Sequence, residues 1–183
     1  NICTAQALLA NVAAFYAVWH GPEGLVRIAG RANLLARLFA ASVSAESHAF
    51  FDTVVVRPLD PLSLVRSRAA AKRINLRYFD DARVGVSFDE RSTLADVADL
   101  AEILGGKRID LLSLAPPESV PAALCRADAV LAHPVFHRHR SETEMMRYLK
   151  RLENKDLSLT HSMIPLGSCT MKLTAAAELA PIS

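Results

Sequence analysis

The first part of the chain is apolar with few interruptions. Residues 4–20 are nearly all apolar and end at Gly21-Pro22-Glu23-Gly24, a run of residues that interrupts regular structure. This pattern predicts a buried helix. Crossing a bilayer takes roughly 20 apolar residues, and this segment is shorter and contains Gln6 and Asn11. A second, amphipathic helix is predicted over about 25–44, where leucine and isoleucine recur on one face and arginine lies elsewhere.

Short β-branched and aromatic runs begin near residue 50. Residues 50–56 form one such run, closed by prolines, and predict a strand. About 62–71 is helical in pattern, and 74–79 then alternates apolar with polar residues as a half-exposed strand does. The run 84–88 predicts a further strand, and its short connection to the preceding one predicts an antiparallel hairpin.

The next helix has capping signals at both ends. Ser92 is predicted to be its N-cap, and the helix continues to Leu104. Gly105-Gly106 is predicted to end it, because glycine adopts the left-handed conformation that closes many helices. Residues 109–132 contain several prolines and predict an irregular linker with local helix around 122–126.

A last clear helix begins at Ser141. Ser141 with Glu144 three residues later forms a capping box, and acidic residues in the first turn give way to basic ones. The buried side of this helix is predicted to consist of Met145, Tyr148, Leu149 and Leu152. Residues 161–183, which follow it, combine a Pro/Gly/Ser/Thr loop with an alanine-rich segment.

The order of these elements indicates an α+β fold. Helix, helix, strand, helix, strand, strand and helix suit an antiparallel sheet with helices on one face. The long buried helix at the start needs a neighbour that this chain does not obviously supply.

Composition is that of a globular protein, with 51% hydrophobic and 22% charged residues among 183. Lysine and arginine total 21 against 19 acidic residues, so the net charge of +2 predicts no general attraction to nucleic acid or to an anionic membrane. Three widely separated cysteines indicate neither a disulfide framework nor a zinc site, and a reducing compartment is expected. A start at Asn1 without methionine suggests a fragment.

Two glycine or histidine motifs invite a chemical interpretation that the residues do not support. Gly105-Gly106-Lys107 lacks the earlier glycine and the following hydroxyl residue of a phosphate-binding loop. His133, His137 and His139 have spacings that a metal could use, but the neighbouring Arg138 and Arg140 oppose a cation. No metal site is predicted.

The loop at 167–170 is the one candidate for chemistry. Cys169 lies between Ser168 and Thr170 with Lys172 nearby; it is either a thiolate nucleophile or, as residue types favour, a small residue packed in a turn. The same loop could present backbone N–H groups and two hydroxyls to an anion. Five lysines could form a Schiff base, and they are Lys72, Lys107, Lys150, Lys155 and Lys172. All of them except Lys172 lie in settings where a lysine is normally solvated.

Two strings add a resemblance to a known family, and the second continues from residue 141 to residue 173. Residues 1–11, 141–156 and 163–173 resemble the glycine decarboxylases, the P proteins of the glycine cleavage system, and shorter matches in the expected order extend this over essentially the whole chain. The resemblance identifies an internal fragment that spans the junction of the two halves of such a protein.

The resemblance implies a fold and a domain division. The family consists of two fused copies of the aminotransferase-like (fold type I) fold of enzymes that use pyridoxal 5'-phosphate, the first copy without cofactor. Residues 1–125 would form the end of the large domain and the small α+β domain of the first half. Residues 126–160 would be a linker and bridging helix, and 161–183 would open the half that binds pyridoxal phosphate.

The resemblance also implies an activity for the full-length protein, an oxidoreductase of glycine catabolism. Glycine would be decarboxylated on pyridoxal phosphate, and the aminomethyl group passed to the lipoyl arm of the H protein. A homodimer is expected, located in the cytoplasm of a bacterium or in the mitochondrial matrix. The family's cofactor lysine follows a histidine, and this chain has no His-Lys pair, so no catalytic residue is assigned and the fragment alone is expected to be inactive.

Site residues and departures follow from the same resemblance. Ser168, Cys169 and Thr170 are assigned to the entrance for glycine or the lipoyl arm. The chain departs from the family's usual residues at four positions, which are His139, Arg140, Thr174 and Ser183. An alternative interpretation is a non-catalytic truncated product or a scaffold that contacts a partner.

Overall fold

A computed structural model describes residues 4–43, 45–46, 49–105, 116, 118–156, 158, 161, 163 and 175–179. The chain divides into two compact units, one comprising residues 1–22 with 131–183 and the other residues 23–130. The helices and strands of the described part are α1 (Thr4–Ser42), β1 (Thr53–Val56), α2 (Leu62–Ala71), β2 (Arg77–Tyr78), β3 (Val84–Ser87), α3 (Leu94–Ile103), α4 (Glu142–Glu153) and α5 (Ala176–Leu179).

The unit of residues 23–130 contains a three-stranded antiparallel sheet. Its strand order is β1-β3-β2, with Val54 opposite Val86 and Tyr78 opposite Val84. The hairpin predicted from the short connection is therefore confirmed. The two strands that flank β3, which are β1 and β2, are shorter than predicted. After α2 the amide of Ile74 still donates to the carbonyl of Ala69, so the chain pairs with β3 only from Arg77 onward.

Helices cover one face of this sheet. Alternate strand residues, among them Val54 and Val86, are buried against α1, α2 and α3. Phe39 of α1 is fully buried, and its ring centroid lies 5.6 Å from that of Phe88. Burying side chains of this size contributes about 1.5–3 kcal/mol each. The mixed composition of helices and a small antiparallel sheet agrees with the predicted α+β class.

The start of α3 corrects one prediction. The N-cap is Thr93, whose hydroxyl accepts from the amide of Asp96 while the Asp96 carboxylate accepts from the amide of Thr93 at 2.7 Å. Ser92 instead donates its hydroxyl and its amide to Asp89, and these bonds hold the pKa of Asp89 below its usual value. Ser92 is thus part of the preceding turn.

The end of α3 follows the prediction at Gly105, and Gly106 lies outside the described residues. Gly105 adopts φ +76° directly after the last turn, a conformation that favours glycine. A Cβ at this position would also lie 3.2 Å from a carboxylate oxygen of Asp60.

Polar side chains tie distant segments of this unit to α1. The buried amide of Asn33 donates to the carbonyl of Phe51 at 2.7 Å and to the hydroxyl of Ser119 at 3.0 Å. Arg37 donates to the carbonyl of Pro116 at 2.6 Å and forms an ion pair with Glu118 at 3.0 Å. These bonds hold Pro116, Glu118 and Ser119 against the helix.

The start of the chain confirms one prediction and corrects another. Two helices, together labelled α1, meet at Gly21, whose φ of 62° and ψ of 179° are not helical, so the break predicted at Gly21 is confirmed. Residues 4–14, predicted to be buried, are exposed. The side chains of this segment are apolar, as the pattern indicates, but no other part of the chain that the structure describes packs over them.

Helix α4 begins as predicted. The Ser141 hydroxyl accepts from the amide of Glu144, as an N-cap does. Met145, Tyr148 and Leu152 are half-buried, but Leu149 is exposed and that part of the prediction is wrong. One residue along a helix is a rotation of about 100°, which carries Leu149 away from the face that Tyr148 occupies.

Among the described residues between α3 and α4 are two short 3-10 turns. One, Ala122–Leu124, corresponds to the local helix predicted around 122–126. The other, Pro134–His137, was not anticipated from the sequence.

Candidate functional site

The loop assigned to substrate entry, Ser168, Cys169 and Thr170, lies outside the described residues, as do Lys107 and Lys172. Of the described features, three in the unit of residues 1–22 and 131–183 bear on function. They are an apolar helix face, an aromatic and basic cluster on α4, and a polar cluster where the chain leaves α4.

The apolar face consists of Leu8, Leu9, Val12, Tyr16 and Trp19 of α1. Leu9 is 68% exposed and Leu8 59%. Residues 4–19 contain no aspartate, glutamate, lysine or arginine. A helix that is apolar all round is normally buried, and contiguous exposed apolar surface normally marks an interaction site. The apolar face therefore has the character of a contact surface.

An open pocket of about 350 Å³ lies on part of the apolar face. Its walls are apolar and come from two helices: Val12, Phe15, Tyr16 and Trp19 from α1, and Met145 from α4. Phe15 also meets Tyr148 of α4 edge to face, with ring centroids 6.2 Å apart. The pocket is thus an open apolar depression between α1 and α4.

The aromatic and basic cluster is built on Tyr148. The His139 ring stacks on Tyr148 with centroids 4.3 Å apart and an interplanar angle of 5°. The Arg151 guanidinium lies 5.2 Å from the same ring and 3.5 Å from Nε2 of His139. His139, one of the departures from the family pattern, therefore packs on α4.

Arg140, a second departure, occupies the space beside Gly21. A Cβ at position 21 would collide with its guanidinium, and the same group donates to the carbonyl of Phe136 at 2.9 Å. The arginine is thus compatible with the fold because residue 21 has no side chain.

The polar cluster at the end of α4 joins three side chains. Lys150 donates to Glu153 at 2.7 Å and to the hydroxyl of Ser158 at 3.0 Å, and Ser158 donates to the other oxygen of Glu153 at 2.9 Å. The hydrogen bonds from Lys150 and then from Ser158 hold the pKa of Glu153 below its usual value. We call this set the exit clamp. Sequence reasoning missed it: the spacing of Lys150 and Glu153 is a recognisable helix pair, but nothing local points to Ser158.

The described lysines do not suit attachment of pyridoxal phosphate, which requires an amine that can lose its proton. Lys72 is held by Asp99 at 2.5 Å and Glu102 at 2.8 Å, and these bonds, that to Asp99 foremost, raise the pKa of Lys72. Lys150 belongs to the exit clamp, and Lys155 is exposed. No step through the cofactor is therefore assigned to the described part of the chain.

The histidines of residues 133–139 serve local structure. His133 accepts from the amide of Val135, and Nε2 of His137 lies 3.2 Å from the carbonyl of Leu131. Within the described ranges, no group of three or more histidine, cysteine, aspartate or glutamate side chains is arranged to hold a metal. In the same ranges, no helix has the length and apolar character needed to span a membrane.

Comparisons with a family model and with known proteins agree on one family. The family model described as glycine cleavage system P-protein matches residues 1–104. Proteins named glycine dehydrogenase (decarboxylating) from Shewanella frigidimarina (strain NCIMB 400) and Shewanella pealeana (strain ATCC 700345 / ANG-SQ1) are each 50% identical over 196 aligned residues. These alignments cover 100% of this chain and 20% of each relative, so the chain spans about a fifth of their length. The family match over more than half of the chain shows that it belongs to the glycine cleavage system P-protein family.

Proposed function

We propose that this chain is part of a glycine decarboxylase, an oxidoreductase that uses pyridoxal phosphate to decarboxylate glycine. It would transfer the aminomethyl group to the lipoyl arm of the H protein. The observation that carries the proposal is the 50% identity to glycine dehydrogenases over the whole chain. The full-length protein would act as a homodimer, and the bacterial source of the relatives favours the cytoplasm.

The proposed division of the chain follows the aminotransferase-like (fold type I) arrangement. Residues 1–125 would contain the end of the large domain and the small domain of the cofactor-free half. Residues 126–160 would bridge the halves, and 161–183 would begin the half that binds pyridoxal phosphate. The sheet and its covering helices, all before residue 126, and the capped helix α4, within 126–160, support this division.

The apolar face supports a structural role for the first part of α1 within the complete enzyme. The relatives are about five times as long as this chain, and an uncharged helix needs apolar neighbours. We propose that the remainder of the enzyme covers it. The same surface favours the second candidate, a non-catalytic interaction module, in which a partner subunit would cover it instead.

The active-site contribution would come from the loop of Ser168, Cys169 and Thr170, at the entrance for glycine or the lipoyl arm. Ser168→Ala with Thr170→Ala in the full-length enzyme should lower kcat/KM roughly a hundredfold or more, since each of the two lost hydrogen bonds to a charged group costs about 1.5–3 kcal/mol. The assay is exchange of the glycine carboxyl group with labelled bicarbonate in the presence of lipoylated H protein. Ser63→Ala, on the exposed side of α2, is the control; wild-type kinetics in the double variant would remove this loop from the site.

A separate experiment tests where the cofactor attaches. Pyridoxal phosphate is added to the 183-residue chain, the mixture is reduced with borohydride, and modified lysines are identified by peptide mass. We expect no stoichiometric adduct. A single modified lysine, Lys172 in particular, would mean that the chain binds the cofactor itself.

A further inference from the structure

The apolar face of α1 continues onto α4 across the pocket. Met145 of α4 lines the pocket together with side chains of α1 such as Val12 and Trp19. Leu149 lies one turn beyond Met145 on the same side of α4, because residues four apart are neighbours on a helix, and it is 39% exposed. We call the apolar face together with Met145 and Leu149 the α1–α4 groove.

The spacing of side chains along the groove matches a helix as its occupant. Leu8, Val12, Phe15 and Trp19 follow one another at intervals of four, three and four residues, which is the spacing of a seam that packs against another helix. At 1.5 Å per residue this seam is about 16 Å long. A strand, whose side chains repeat every two residues, does not match it. Phe15 already contacts Tyr148 of α4, so the open part of the seam lies toward Leu8 and over the pocket.

The other side of α1 indicates that this occupant belongs to the same polypeptide. Ala7, Ala10 and Ala14 lie about half a turn around the helix from Val12, and they are exposed as well. A contact with a second copy or with another protein would cover one side and would have a polar rim, whereas residues 4–19 contain no charged side chain. A helix that is apolar all round belongs in the interior of a domain. The relatives are about five times as long as this chain, so the rest of such a polypeptide can supply that interior.

We infer that the α1–α4 groove holds a helix from another part of the full-length polypeptide, with one bulky apolar side chain of that helix in the pocket. The three aromatic rings of the pocket wall, Phe15, Tyr16 and Trp19, favour an aromatic side chain or a methionine there. The helix brings no charged residue to the groove, because the groove offers none to pair with it. This inference rests on the proposal that the chain is part of a longer enzyme, but not on the chemistry of that enzyme.

The test places a photo-cross-linking residue in the full-length enzyme. Leu9 of α1 and Leu149 of α4 are replaced by benzoylphenylalanine one at a time, and the cross-linked peptides are identified by mass after irradiation. We expect both positions to capture the same segment of the same polypeptide, outside the 183 residues of this chain. That segment should have apolar residues three and four positions apart. The cross-linked product should migrate as a single polypeptide in denaturing electrophoresis.

A second measurement avoids the bulk of the cross-linking residue. Leu9→Cys and Leu149→Cys are smaller changes, and the reaction of each thiol with N-ethylmaleimide in the full-length enzyme is followed by peptide mass. The matched control is Leu124→Cys, because Leu124 is 76% exposed and lies in the other unit. Both groove thiols should react roughly tenfold or more slower than the control, since a covered thiol reacts only after local opening. Benzoylphenylalanine at position 124 should not capture the segment that Leu9 and Leu149 share.

The possible outcomes separate this inference from the proposed function. Cross-links between two copies or to another protein would make the groove an interface between chains and overturn the inference. Different segments captured from Leu9 and Leu149, or thiols that react as fast as the control, would show that no single helix fills the groove. Exchange of glycine with bicarbonate by the unmodified enzyme tests the proposed function alone. No exchange with converging cross-links refutes the function and leaves the helix in place, and exchange without converging cross-links refutes only the helix.

Discussion

Replacing Gly21 with alanine should destabilise the unit that contains α4. Gly21 has φ 62° and ψ 179°, a combination that is essentially restricted to glycine because a Cβ meets the neighbouring backbone. The Arg140 guanidinium also occupies the space that a Cβ would need. Alanine at this position therefore has to strain the backbone and displace the arginine at once.

The magnitude follows from these two effects. Holding a residue other than glycine in this conformation costs about 1–3 kcal/mol. Moving Arg140 also breaks its hydrogen bond to the carbonyl of Phe136, which contributes about 1 kcal/mol. We expect Gly21→Ala to lower the free energy of unfolding by about 2–4 kcal/mol.

The assay exploits a single tryptophan. Trp19 is the only one in the chain and lies two residues before Gly21, so its fluorescence during urea unfolding reports on this region. Gly30→Ala is the matched control: Gly30 is exposed within α1, and a Cβ there would meet nothing within 4 Å. In that helical position alanine should stabilise by about 0.5–1 kcal/mol, seen by circular dichroism.

A variant lacking the arginine distinguishes the two effects. Arg140→Ala with Gly21→Ala should cost about 1 kcal/mol less than the sum of the two single changes, because both remove the same hydrogen bond. A Gly21→Ala protein whose unfolding midpoint matches that of the wild type would refute both the strain and the contact.

Two further predictions concern the unit that contains the sheet. Thr93→Ala should cost about 1 kcal/mol of unfolding free energy in urea titration because it removes the cap of α3, and Ser92→Ala should cost clearly less; equal losses would contradict the assignment of the cap. The pKa of Lys72 is raised above 10.5 by its bond to Asp99 first and Glu102 second, so its contribution is fully present below its unfolded pKa. That contribution should disappear as pH rises through the folded value. The midpoint temperature of thermal unfolding of Lys72→Met should therefore fall less steeply with rising pH, across the alkaline range, than that of the wild type. Identical slopes would show that the ion pair does not cause the alkaline loss of stability.

Signals confined to a few neighbouring residues were reliable predictors of structure. Ser141 with Glu144, Gly105 after α3 and the short connection before β3 each specified local geometry that the structure contains. The misplaced cap of α3 was also decidable from the sequence. Thr93 has an acid three residues later, Asp96, which completes a capping box, whereas Ser92 has Ala95 at the corresponding position.

Contacts between distant residues could not be predicted in this way. Asn33 and Ser119 are separated by 86 positions, and only the folded chain brings the amide to the hydroxyl. The exit clamp depends on a turn whose path no local pattern specifies, so Ser158 was indistinguishable from any other serine in a polar segment. Residue types alone made the loop of Ser168, Cys169 and Thr170 a candidate, but its assignment to the substrate entrance came from resemblance to a family and stays a prediction.

The first part of α1 shows what hydrophobic periodicity does and does not determine. Its uncharged sequence correctly indicates side chains that favour burial, but a pattern of side chains carries no information about which atoms will cover them. The pocket walls at Phe15, Trp19 and Met145 show that α4 supplies part of the cover, and Leu8 and Leu9 lie beyond it. If the remainder of the enzyme completes that cover, charged substitutions at Leu8 and Leu9 should disrupt the full-length protein far more than they alter this chain by itself, where the same side chains already face water.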